Sequence, residues 1–423
     1  MSPDKYKLVL DKLFSLHQLG VKLGLENTIE FLKHLGNPQR DLRCFHVAGS
    51  NGKGSTSSFI ASILMEYGYK TGLYTSPHFI RFNERIKING VEISDDYIVE
   101  FFEKHEDYID SNALTFFETT TCMAFAYFKD QGIDYAVIET GLGGRLDSTN
   151  VINPLASIIT SISLEHTNIL GHSIDLITAE KAEIIKRQGK TFIGKLPDIA
   201  REIIENKCAL VGNELFILPD FIMEKANHVE LYTEELNIYR LESPLPGNFQ
   251  RLNASLAILS VYETLNLTDE KIFSKGVRNV ILNTGIQGRF EYVNESPYLI
   301  LDSAHNPEGI HSFLTEFDQH KPKFRNCVLL FAALRDKNIR EMLSPVKMFF
   351  NEIIITKIEN ERAAEMQEIA SIAESLNIKY RLNDSPENAV QSFLRKAEMN
   401  DCLVVLGSMY LIGRVKEYLK RIK

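Results

Sequence analysis

What most constrains this chain is an alternation. Short apolar runs, CFHVA at 44–48, GLYTS at 72–76, DYAVIET at 134–140 and LASIITSI at 155–162, are separated by segments with helical spacing. Strands that alternate with helices build βαβ units and a largely parallel sheet. The segment after the first run illustrates the helical half: Phe59, Ile60, Ile63, Leu64 and Tyr67 fall on one face, and Gly68 is a stop signal. Around 229–242 the pattern turns β-like, VELYTEELNIYRLE, followed by the turn PLPG and a helix, NFQRLNASLAILSVYETL. A second α/β series begins near 288 with RFEYV and YLILD and ends with CLVVLGSMYLIGRVKEYLKR. The expected class is therefore α/β, with an N-terminal domain over 1–287 and a smaller Rossmann-like domain over 288–423, joined near ILNTGIQG at 281–288.

Between the first strand and its helix lies HVAGSNGKGST, residues 46–56. The strict phosphate-loop pattern fails here: it would put its first glycine at Val47, and Gly54 intervenes between Lys53 and Ser55. The strand-to-helix context argues for a phosphate cradle all the same. A helix N-terminus offers unpaired N–H groups and partial positive charge, glycines let the backbone approach, and Lys53 reaches the terminal phosphates. A glycine turn without a ligand is the alternative at this point.

Other candidates follow the same logic. Glu139 ends an apolar strand, where nucleotide enzymes place an acid for magnesium; a solvated strand end is the plainer reading. Ser76, in YTSPH, offers a hydroxyl to the same ion or simply caps a turn. His166 follows another apolar run, and Lys181 sits on a helix. No Ser-His-Asp order and no cysteine nucleophile stands out, so the constellation points to positioning and charge neutralisation around a transferring phosphoryl group.

Bulk properties narrow the classes. With 44% hydrophobic and 24% charged residues the chain is an ordinary folded protein, and its formal charge of −9 argues against a nucleic-acid surface. The positive field for anionic substrates must be local, with Lys53, Arg81, Arg85, Arg145 and Arg289 as candidates. No run reaches the ~18 apolar residues of a membrane span. The start, MSPDKYKLVLDKLFSL, is amphipathic and carries acids, so no membrane contact and a cytoplasmic location are expected. Five cysteines, at 44, 122, 208, 327 and 402, form no CxxC pair and are expected to be reduced.

Taken together, HVAGSNGKGST, YTSPH, FNERI, FFETTT, ETGLGGRLDSTN, LEHTNILGHS with AEKAEIIK, NFQRLNA, GRFE, LDSAHNPEG, FAALRDKN and GSMYLIG occur in the order found in the folylpolyglutamate synthase/dihydrofolate synthase family of the Mur ligase superfamily. The resemblance starts at LGLENTIEFLKHLGNPQ, covers nearly the whole chain, and accounts for the extra glycine after Lys53 as a variant cradle.

The resemblance implies an ATP-dependent amide ligase with a P-loop domain carrying the pterin/folate site and a C-terminal domain that closes over ATP and glutamate. A pteroate or folate carboxylate attacks the γ-phosphate, and the amine of L-glutamate displaces phosphate from the acyl phosphate. It further implies that Asn51, Gly52, Lys53, Gly54, Ser55 and Thr56 cradle the nucleotide, with Asn253, Arg289 and Asp302 as further ATP contacts. Ser76 and Glu139 resemble ligands of a first magnesium ion and His166 of a second, while Lys181 matches a lysine carbamylated in the superfamily. His305 and Ser408 match positions lining the closed cleft, His305 being grouped with Lys53, His166 and Lys181 in catalysis. The expected partners are dihydropteroate or folate, L-glutamate and ATP, with no nucleic acid; the expected state is a monomer with both synthase activities. A Mur-type ligase acting on a UDP-sugar, or a phosphate-loop protein without ligase activity, are the rival readings. Phe249, Ser303, Glu183 and Glu361 depart from the family pattern, where histidine, glycine, glycine and proline are usual.

Overall fold

A computed structural model describes residues 3–20 and 24–422. Met1 and Ser2 of the N-terminal segment, and Leu23, first residue of the LGLENTIEF motif, lie outside them. Contacts divide the chain into two units. The first runs up to His78 and continues through Phe82–Pro244 and Arg251–Gly285; the second comprises Phe79–Arg81, Leu245–Gln250 and the chain from Ile286 onward.

The first unit is built on eight strands: β1 Cys44–Ala48, β2 Thr71–Tyr74, β3 Ile86–Ile88, β4 Val91–Glu92, β5 Tyr135–Glu139, β6 Ala156–Ile159, β7 Lys190–Ile193 and β8 Glu214–Ile217. Their order is β4-β3-β2-β5-β1-β6-β7-β8. All neighbours run parallel except the edge strands β3 and β4, which pair antiparallel. Every residue of β1, β5 and β6 is buried, which is why these runs read as continuous apolar sequence rather than as alternation. Helices cover both faces. On the face shared by Cys44, His46 and Ala48, one core gathers Phe31, Phe102, Phe125, Phe128 and Ile138, and a second gathers Ala48, Ile159, Ile177, Ile193 and Ile204.

After β1 the chain turns toward β2, whereas after β6 it proceeds to β7 on the other side. The order therefore reverses between β1 and β6, and open α/β sheets bind ligands beyond the strand ends at such a point. Lys53–Glu66, the helix after β1, is buried from Ser55 to Leu64. It packs on Glu270–Arg278, where Ser62 Oγ donates to Gly276 O at 2.6 Å.

The FFETTT motif opens the helix Phe116–Asp130. Its acid is a cap: Glu118 Oε2 accepts from Thr115 N at 2.7 Å while Thr115 Oγ1 accepts from Glu118 N at 3.3 Å. The β-like stretch near 229 forms a small antiparallel sheet of β9 Ile222–Glu224, β10 Val229–Tyr232 and β11 Asn237–Ile238.

The second unit holds six strands: β12 Glu291–Glu295, β13 Tyr298–Leu301, β14 Cys327–Phe331, β15 Glu352–Thr356, β16 Tyr380–Asn383 and β17 Cys402–Leu406, in the order β12-β13-β17-β14-β15-β16. Only β12 is antiparallel to its neighbour, because RFEYV and YLILD are joined by a short turn rather than a crossover helix. All five cysteines are free and buried. No helix among the described residues is long and apolar enough to cross a membrane.

Candidate active site

In the first unit, the site is built where β1 gives way to its helix. Val47 pairs with Glu139 and Ile158 inside the sheet, so it is strand, and the loop proper is only Gly49–Gly52. Two glycines make so short a loop possible. Gly49 has φ +150°, and a Cβ there would lie 2.0 Å from Thr160 Oγ1; Gly52 has φ +84°, and a Cβ would lie 2.6 Å from Asn253 Oδ1. The second contact also places Asn253, far along the chain, against the loop.

The loop is stitched to the segment following β6. Ser50 N donates to Ser161 O at 2.8 Å, Asn51 N to Ser161 Oγ at 2.8 Å, and Thr160 Oγ1 to Asn51 O at 2.6 Å. Gly52 stands at the N-cap of Lys53–Glu66 without a side chain to occupy the first-turn N–H groups. Lys53 Nζ folds over the loop and donates to Gly49 O at 2.9 Å and Ser50 O at 3.3 Å.

Gly49 O is shared by a second ammonium. Lys181 Nζ, in the last turn of Ile174–Ala182, donates to it at 2.9 Å and pairs with Glu165 Oε1 at 2.8 Å. Only 2% of the Lys181 side chain and 4% of the Glu165 side chain are exposed. Burial pushes the Glu165 carboxyl up, but Lys181 and Lys53 outweigh it and hold it at about 2. Burial pushes the Lys181 amine down, against Glu165 and with Lys53. Lys53, a second positive charge, favours the carboxylate and adds to burial in opposing the neighbouring ammonium.

Glu139, at the end of β5, is buried and accepts from Ser76 N at 3.0 Å through Oε2. Sequence-predicted Ser76 and Glu139 are thus in direct contact. His166 has φ +47° and opens the one-turn helix Thr167–Leu170, one residue after Glu165. Ser55 and Thr56 are buried in the helix. Two of the candidate field cations have protein partners: Arg145 Nη2 pairs with Glu180 at 2.8 Å, and Arg85 Nε donates to His78 Nδ1 at 2.8 Å.

Within the second unit, Asp302 is buried, and burial raises its carboxyl against the opposing pull of Arg289. Its Oδ2 accepts from Phe290 N at 2.7 Å and its Oδ1 from Ala304 N at 2.9 Å. Phe290 carries φ +48°, an outlier for a bulky residue that the Asp302 bond helps to fix beside Arg289. His305 Nδ1 donates to Ser303 O at 2.9 Å. Ser408 is buried and accepts from Tyr410 N at 3.2 Å. Of the departures from the family pattern, Glu183 has φ −70°, which any residue adopts, and pairs with Lys207 at 2.6 Å.

Two residues escaped the sequence reading. Glu165 and Asp147 are both buried, and burial is a signal that one-dimensional patterns do not carry.

Known families and solved structures resemble this chain. Residues 47–261 match the Mur ligase middle domain, and residues 288–409 match the Mur ligase glutamate ligase domain. The chain is 34% identical, over 95% of its length and 96% of the relative's, to dihydrofolate synthase/folylpolyglutamate synthase of Bacillus subtilis. It superposes on Escherichia coli FolC in complex with DHPP and ADP with a TM-score of 0.88, 28% identity and 98% of each chain covered. With bifunctional folylpolyglutamate synthase/dihydrofolate synthase of Yersinia pestis, complexed with AMPPNP and Mn ion, the TM-score is 0.87 at 27% identity, over 99% of this chain and 100% of the other.

Proposed function

Since the chain belongs to the folylpolyglutamate synthase/dihydrofolate synthase family of Mur ligases, we propose that it is an ADP-forming ligase joining L-glutamate to dihydropteroate and to folates, with ATP as the activating substrate. The observation that carries this reading is the uncapped N-terminus of Lys53–Glu66, with Lys53 over its loop, in the same unit as the Ser76–Glu139 contact.

Activation is needed because a carboxylate is a poor electrophile and its oxygen a poor leaving group. An oxygen of the acceptor carboxylate attacks the γ-phosphorus, the bond to ADP breaks, and an acyl phosphate forms. The glutamate amine then attacks the acyl carbon, phosphate leaves with one oxygen of the original acid, and the amine gives up a proton. Lys53 and the first-turn N–H groups of its helix hold the phosphates and meet the charge that builds up on them. Asn51, Gly52, Gly54, Ser55 and Thr56 shape that cradle, and Asn253, Arg289 and Asp302 add nucleotide contacts. In the second unit His305 serves the reaction, while Ser408 caps the helix Met409–Ile422.

A divalent metal fits the donors present. Glu139 supplies a buried carboxylate with Ser76 beside it, and among the described residues no group of three or more His, Cys, Asp or Glu converges on one point. Few protein donors, with phosphates and water filling the remainder, is how magnesium is held, unlike structural zinc. Such an ion neutralises charge on the phosphates when bound. Ser76 and Glu139 would hold it, and His166 would serve a second ion.

Lys181 is the candidate for carbamylation. Its buried amine is pushed below its ordinary value, and only the neutral amine adds to carbon dioxide, forming a carbamate and releasing a proton. A mass increase confined to the Lys181 peptide in bicarbonate, absent without it, tests this.

For the reaction as a whole, the acceptor is labelled with ¹⁸O in its carboxylate. Label in the liberated phosphate is expected; unlabelled phosphate removes the acyl phosphate. ADP release that persists when the pteroyl acceptor and glutamate are both withheld contradicts the ligase reading. Running dihydropteroate and tetrahydrofolate side by side decides whether both activities are present.

A further inference from the structure

β1 carries a histidine that the reaction above does not use. His46 is fully buried two residues before Ala48, the last residue ahead of the loop. Its Nε2 lies 2.8 Å from Thr149 Oγ1, and Thr149 Oγ1 donates in turn to Asp147 Oδ1. The direction of this chain is fixed by chemistry. A carboxylate only accepts, so the Thr149 hydroxyl spends its hydrogen on Asp147 and must accept from His46. His46 therefore carries its proton on Nε2, and its Nδ1 has no hydrogen-bond partner among the described residues. Burial, with Lys186 nearby, keeps the ring neutral by pushing it down to about 3.

Asp147 is the receiving end. Its Oδ1 also accepts from Thr149 N at 3.0 Å, and its Oδ2 accepts from Gly141 N at 2.9 Å and Leu142 N at 2.8 Å. Four donors saturate a buried carboxylate that no cation touches in these contacts, and in doing so they pin the loop that leaves β5 just after Glu139. The same loop is the seat of the helix carrying Lys181. Gly144 packs so closely that a Cβ would lie 2.7 Å from Glu180 O and 2.9 Å from Lys181 O. Arg145 N donates to Glu180 O at 2.8 Å, and Asn150 Nδ2 donates to Arg145 O at 3.1 Å.

We propose that His46 is a positioning residue: acting through Thr149 and Asp147, it fixes the 141–147 loop and so sets the registration of Glu139 and Lys181 against the phosphate loop. Its kinetic consequence rests on the ligase reading; its structural consequence does not.

The test uses the full chain and three variants. Thr149→Val keeps the volume and deletes the hydroxyl, Thr149→Ser keeps the hydroxyl, and His46→Phe deletes the donor at similar size. Hydrogen exchange of the Gly141 and Leu142 amides is expected to quicken about tenfold in Thr149→Val and His46→Phe and to return to near wild type in Thr149→Ser. In ligase turnover, kcat falls about tenfold in the first two variants while KM for ATP stays within about twofold, and serine restores kcat. A ¹H–¹⁵N imidazole spectrum of the wild type shows His46 protonated at Nε2. Unchanged exchange at 141–142 in Thr149→Val, an equal kcat loss in Thr149→Ser, or a proton on Nδ1 overturns the proposal. If the wild type shows no ligase turnover, the ligase reading fails and the exchange and tautomer arms still decide the role of His46.

Discussion

Both units send a parallel strand through a glycine into a helix, and only one of the two junctions is suited to an anion. After β17, Gly407 has φ +101° and Ser408 follows; its hydroxyl accepts from Tyr410 N at 3.2 Å, so the helix Met409–Ile422 brings its own cap. After β1, Gly52 occupies the cap position with no side chain, and Lys53 adds a charge. A strand-glycine-helix junction is thus not by itself a phosphate site. What matters is whether the protein uses the first-turn N–H groups for itself.

Substitutions can break this contrast. Lys53→Ala removes the charge at the open junction but no core partner, so ADP-forming turnover should fall about 10³-fold with the fold intact by circular dichroism. Turnover within tenfold of wild type would remove Lys53 from the mechanism.

Glu165→Gln attacks the charge balance below the same junction by leaving Lys181 buried without its carboxylate. A loss of about 3 kcal/mol is expected in urea unfolding, and a loss below about 1 kcal/mol would mean the pair is not the buried contact described.

Gly52→Ala places a Cβ at φ +84° and against Asn253 Oδ1, 2.6 Å away. It should cost about 1–2 kcal/mol of stability and weaken nucleotide binding measured by calorimetry. At the self-capped junction, Ser408→Ala should cost about 1 kcal/mol while nucleotide affinity barely moves. A large affinity loss there would erase the distinction between the two junctions.

The remaining effect is one of pH, confined to acid conditions. His46 sits at about 3 in the folded chain against an ordinary 6.5. Between those values the unfolded chain binds a proton that the folded chain does not, so stability declines as pH falls through that window. The slope contributed by this ring is about 1.4 kcal/mol per pH unit at most, and His46→Phe should lose it in denaturant titrations.

Much of the fold was legible in advance, for a local reason. CFHVA, DYAVIET and LASIITSI are strands because a sheet covered on both faces demands unbroken apolar runs, and that demand is written residue by residue. The hairpin β12–β13 was harder to see, since RFEYV and YLILD look alike whether the next strand pairs parallel or antiparallel. At the site, the strand-glycine-lysine-helix pattern pointed to the cradle, and Ser76 and Glu139 to each other. Glu165 and Asp147 stayed hidden because neither stands at a position where spacing signals burial.

The sequence by itself determined the alternating α/β plan, the loop between β1 and its helix, and the family to which they belong, because periodicity, glycine placement and motif order are properties of neighbours along the chain. Tertiary structure alone decided that Lys181 Nζ meets Gly49 O, that Asn253 faces Gly52, and that His46 reaches Asp147 through Thr149. Those contacts join residues about a hundred or more positions apart, and each depends on burial that forces polar atoms to find partners where water is excluded.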